Sequence, residues 1–123
     1  MTQRIETIPL QECLHHDPAP VAALYRDHGP RAHRILRERL SAVALHVALA
    51  AEQVAARDLD DLPAQLRQVQ RMSADLGLLS VAEVAGAAAG LVGWPPFPAV
   101  FARLQRLTEM ALHPSRDLLQ ASH

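Results

Sequence analysis

The chain is short of the residues that most often staple or stack a fold. One cysteine in 123 residues, Cys13, excludes an intramolecular disulfide and points to a reducing compartment. Only one Trp, one Tyr and two Phe are present. A core must therefore be filled by Leu, Val and Ala, which suits closely packed helices better than sheets. Neither sign of charge is in excess. A formal net charge of −1 gives no electrostatic argument for nucleic acid or for an anionic membrane as partner. Long apolar runs are missing too. Leu40 to Ala51 carries no acidic residue, lysine or arginine, but it is too short for a bilayer, which takes about 20 residues. Val84 to Ala102 is broken by Gly93 and three prolines. The N-terminal MTQRIETIPLQE mixes charges into its apolar residues and lacks the continuous apolar stretch of a secretory signal. A cytoplasmic location is expected.

Against these absences, half of the residues are hydrophobic, and the length suits one domain with one sizeable core. The expected organisation is an irregular arm over 1–17, a helical body over 18–113 and a frayed tail over 114–123. In the arm, Ile5, Ile8 and Leu10 are candidates for docking on the body. After Pro18 and Pro20, residues 21–27 read as a short helix that ends at His28-Gly29-Pro30. A long helix from about Arg31 to Arg57 follows, with Ile35, Leu36, Leu40, Val43, Val47 and Val54 in one stripe. Its middle, SAVALHVALA, is apolar almost all round. Such a helix is either central or part of a protein–protein contact.

Asp58 to Asp61 then supply a break and a cap, and Pro63 falls in the first turn of the next helix, where a missing N–H does no harm. Leu62, Leu66, Val69, Ser73 and Leu76 form its inner stripe, and Gly77 is placed as the C′ residue. Ser80 and Glu83 match the S-x-x-E capping box of a fourth helix, with Leu79 and Val84 as the hydrophobic staple. Gly86 and Gly90 make a G-x-x-x-G, which in a soluble protein reads as close helix approach. Trp94 to Pro98 is expected to be a rigid linker before a last helix with Val100, Phe101, Leu104, Leu107 and Ala111 inward. The fold class expected is all-α, an antiparallel four-helix bundle with a short extra N-terminal helix.

No catalytic constellation emerges. There is no phosphate-binding glycine loop, no pair of carboxylates and no triad. Cys13 beside His15 and His16 lies in the arm, without the rigid orientation a thiol nucleophile needs. His15, His16, His28 and His33 lack the i, i+4 spacing that sets two imidazoles on one ion, so neither metal nor cofactor is expected. His113 and His123 read as solvent-exposed. His46 interrupts an apolar helix. It reads as a half-buried histidine hydrogen-bonded to a neighbour, the sharper role being a proton switch or phosphoacceptor.

The segment Gln65-Arg-Gln-Val-Gln-Arg-Met-Ser-Ala-Asp-Leu-Gly77, with a long helix and acidic turn before it and LLSVAEVAGAA after it, resembles the histidine phosphotransfer (HPt) domain family. That family carries roughly A-H-x-L-K-G-S-A-x-x-L-G on the equivalent helix. The resemblance spans about residues 20–110 and implies a four-helix bundle that docks on receiver or histidine kinase domains. Its functional residues do not carry over. Counting back from Gly77, the phosphoacceptor position is Arg67, the lysine position is Gln70 and the glycine beside the imidazole is Arg71. An arginine stays protonated and is not nucleophilic. The helix contains no histidine at any register. What the resemblance implies is a degenerate, non-catalytic member.

Pro63, Arg67, Gln70, Arg71 and Ala74 share a side of this helix away from the inner stripe. Two arginines beside a glutamine suit the acidic pocket of a receiver domain; equally, they suit an ordinary solvated helix face. Three functions follow: a signalling module docking through that face, a phosphotransfer protein using His46, and a plain oligomerisation bundle joined as a homodimer through Leu40–Ala51 or the small-residue fourth helix.

Overall fold

The computed structural model describes residues 15–112, and their regular structure is helical apart from one isolated antiparallel bridge between His16 and Leu78. Helix α1 spans Ala19–His28, and a 3-10 turn over Gly29–Arg31 leads into α2, Ala32–Ala55. Then come α3, Leu62–Asp75, α4, Leu79–Leu91, and α5, Phe97–Leu112. The all-α class is as expected. Ile5, Ile8, Leu10, Cys13, His113 and His123 lie outside the described residues.

The helix ends follow from local backbone chemistry. Asp17 Oδ1 accepts the Ala19 N–H at 3.0 Å at the start of α1. Gly29, with φ +57°, ends that helix. At the end of α2 the Arg57 N–H reaches the Val54 carbonyl at 3.1 Å and the Asp58 N–H reaches Gln53 at 2.9 Å. This is a Schellman closure with Arg57 in the left-handed region at φ 58°. The end of α3 repeats it with the expected glycine. Gly77, φ +77°, donates to the Ala74 carbonyl at 3.0 Å, and Leu78 donates to Ser73 at 2.9 Å.

Three expected boundaries differ. Asp61 precedes α3, yet its side chain makes no capping bond; its backbone carbonyl accepts the Gln65 N–H at 3.0 Å instead. Helix α4 starts at Leu79, so Ser80 is inside its first turn and there is no capping box with Glu83. The reason is a residue far away in the chain. The His15 carbonyl accepts the Leu79 and Ser80 N–H groups at 3.0 and 3.2 Å, and the Ser80 hydroxyl accepts the His15 N–H at 2.7 Å. Leu79 stays 46% exposed and forms no staple. The end of the arm is thus held against the α3–α4 turn, with the Asp17 N–H on the Gly77 carbonyl at 2.8 Å. Finally, the linker ends earlier than expected, because α5 begins at Phe97. Pro98, second in that helix, needs no N–H there, and Phe97 is buried with its ring 5.5 Å from that of Phe101.

Packing follows chain order. Helix α1 lies on α2, α2 on α3, α3 on α4 and α4 on α5, while α2 meets α5 more sparsely. Leu62, Leu66, Leu104, Leu107, Val43, Val69 and Val81 are the largest fully buried side chains. Burying each Leu or Val contributes about 1.5–3 kcal/mol. The helix enclosed most fully is α4, whose Ser80, Val81, Ala82, Val84, Ala85, Ala88 and Ala89 are all buried. The expectation of an all-round buried α2 is only half met. Val43, Val47 and Ala50 face the core, whereas Leu45, Ala48 and Leu49 are exposed. Small side chains let α3 and α5 close on α4, whereas α2, which packs on α1, α3 and α5, leaves Leu45, Ala48 and Leu49 outside.

Candidate functional site

The candidate face is built on α3. Its inner stripe, Leu62, Leu66, Val69 and Ser73, is buried as the periodicity requires, with Leu76 just beyond the helix also buried. That orientation turns Arg67, Arg71 and Ala74 to solvent and leaves Pro63 and Gln70 half-buried.

The five residues do not behave alike. Arg67 is exposed and makes no hydrogen bond or ion pair among the described residues. Arg71 donates through Nη2 to Gln68 Oε1. The Gln70 amide lies over Gly86 of α4, where a Cβ would overlap it. Gln70 is therefore committed to packing between the two helices. The expected close approach at G-x-x-x-G is realised at Gly86 alone, since Gly90 is exposed with open space where a Cβ would project. On α4, Glu83, Ala87 and Gly90 are exposed. The face thus presents Arg67, without a hydrogen bond or ion pair among the described residues, beside an Arg71 held by Gln68 and a Gln70 committed to packing.

His46 is half-buried on α2, and its Nδ1 lies 2.6 Å from Gln65 Oε1 of α3. A glutamine oxygen only accepts, so Nδ1 carries the proton and the ring ties α2 to α3. His15, His16, His28 and His33 are exposed. Among the described residues no three His, Cys, Asp or Glu side chains are grouped to hold a metal ion, and no helix is long and apolar enough to cross a membrane.

Two features were not anticipated from the sequence. One is the pairing of His15 with Ser80, which no short-range pattern encodes. The other is a depression at the Trp94 turn, lined by Val54, Leu59, Trp94, Phe97 and Pro98, with Trp94 66% exposed. The Trp-Pro-Pro-Phe-Pro string was its only sequence signal.

No protein-family model, no curated protein and no solved structure matches this chain.

Proposed function

We propose that this chain is a non-catalytic, HPt-like interaction module of the cytoplasm, which docks on a receiver or histidine kinase domain of a phosphorelay. The arrangement we infer is an antiparallel bundle of α2 to α5. The short connections between consecutive helices and the contact of α5 with α2 support it. The observation that carries the functional reading is Arg67. It occupies the position where the HPt pattern has its phosphoacceptor, and it stands exposed, with no hydrogen bond or ion pair among the described residues. An exposed guanidinium suits the carboxylates of a receiver's acidic pocket. Pro63, Arg71 and Ala74 border it, while Gln70 holds the helix pair in place. A phosphotransfer role for His46 has less support, since its Nδ1 is engaged by Gln65 and its ring is half-buried.

The test is binding to receiver domains from the same source, with intact-mass detection of phosphoryl transfer in parallel. Replacing Arg67 and Arg71 together by Glu is expected to weaken binding by about tenfold or more, with no phosphoryl group gained by either protein. Unchanged affinity would remove the docking face. A phosphoryl gain on the wild-type chain would refute the non-catalytic reading.

A further inference from the structure

Helix α2 carries more apolar surface than the fold uses. Its inner stripe is satisfied by the core, yet Leu45 is 57% exposed and Leu49, one turn on, is 36% exposed, with Ala48 exposed between them. Residues four apart are neighbours on a helix surface, so these three form one outward patch. A helix apolar on both sides that is covered on only one marks a contact surface.

The rims of the patch identify the occupant. Toward the N-terminal end lie Arg31, Arg34, Glu38 and Ser41; toward the C-terminal end lie Glu52 and then Arg57, Asp58 and Asp60, all of them exposed. None of these charged groups has an ion-pair partner among the described residues. Two arginines against one glutamate leave the first end net positive, and three carboxylates against one arginine leave the second net negative, so the face complements an inverted copy of itself. We propose that two copies of this chain associate through the outer face of α2, with the two helices antiparallel about a two-fold axis.

The register follows from helix geometry. With the axis at the level of Val47, Leu45 of one copy meets Leu49 of the other, Ser41 falls near Glu52, and Glu38 falls opposite Ala55 and Ala56. Arg34 stands about 20 Å from that level, at roughly 1.5 Å per residue. The turn after Ala55 begins about 12 Å beyond it on the other side, which brings the Asp58–Asp60 carboxylates within an arginine's reach. Arg37, which that register sets opposite Arg57, stands at the edge of the face, between a depression shared with Arg34, Glu38 and Ser41 and a groove shared with Glu109 and Leu112 of α5. A parallel pairing stacks Arg34 on Arg34 and Asp60 on Asp60, and is disfavoured. An isologous contact of this kind closes at two copies.

Light scattering across the micromolar range tests the proposal. The wild-type chain is expected to approach twice its 13.4 kDa mass with rising concentration. Leu45→Glu, at an exposed position, should fold normally by circular dichroism yet dimerise about tenfold more weakly or worse. Arg34→Glu and Asp60→Arg should each be weakened alone, and an equimolar mixture should recover the dimer, because the swapped charges then meet across the axis. A wild-type chain that stays monomeric, a Leu45→Glu variant that dimerises as tightly as wild type, or a mixture that recovers nothing would each overturn it. Arg67→Glu should leave dimerisation unchanged, which separates this surface from the α3 face.

Discussion

Substituting Gly77 by Ala probes how the end of the arm and the α3–α4 turn stabilise one another. Gly77 sits at φ +77°, where any side chain carries strain of about 1 kcal/mol. Its added methyl would also overlap the carbonyl oxygen of Asp17 and press on Pro20 Cδ, 3.3 Å away. The arm must then withdraw. With it go four hydrogen bonds: Asp17 N–H to Gly77, His15 N–H to Ser80 Oγ, and the two amides of Leu79 and Ser80 on the His15 carbonyl. Breaking each costs about 1 kcal/mol when the groups stay dry. Residues 15–17 are exposed, and water recovers roughly half of that loss. The expected total is about 3 kcal/mol, adding the strain to about 2 kcal/mol of lost hydrogen bonds. Gly93→Ala is the control. Its φ is +87° and nothing stands within 4 Å of the new Cβ, so only the strain of about 1 kcal/mol applies. In urea, with a slope of about 1.5 kcal/mol per molar, the midpoint should fall by about 2 M for Gly77→Ala and by less than about 1 M for Gly93→Ala. Amide exchange at Leu79 and Ser80 should accelerate in the first variant only. Equal midpoints for the two variants would show that the arm contributes nothing measurable to the fold.

Two further substitutions test the backbone and core assignments. Ser73→Ala is expected to stabilise the chain by about 1 kcal/mol, because the hydroxyl is fully buried without a hydrogen-bond partner among the described residues. The melting temperature should rise by about 4–8 °C, and a fall would reveal a partner for that oxygen. Arg57→Gly relieves a left-handed non-glycine residue and should gain about 0.5–1 kcal/mol in chemical denaturation; no gain would mean that the guanidinium makes a compensating contact.

Much of the fold was legible in the sequence because it depends on neighbours in the chain. The 3.6-residue spacing of Leu62, Leu66, Val69 and Ser73 decides which side of α3 is buried. Gly77 is marked as a helix end because only a residue without Cβ enters the left-handed region freely. The same helical arithmetic turns Arg67 outward. Other features depended on which surfaces meet. Ser80 and Glu83 carry a valid local capping signal, yet a carbonyl 65 residues away supplies the cap and takes the serine hydroxyl. Gln70 looked like a free polar side chain until Gly86 offered it the space of a missing Cβ. The apolar middle of α2 allowed both burial and contact. Only the packing decided that α4, with its small side chains, is the helix enclosed, while Leu45 and Leu49 remain outside. Local pattern fixes backbone conformation and the direction of each side chain, whereas competition among helices for a limited core decides which apolar faces stay in water.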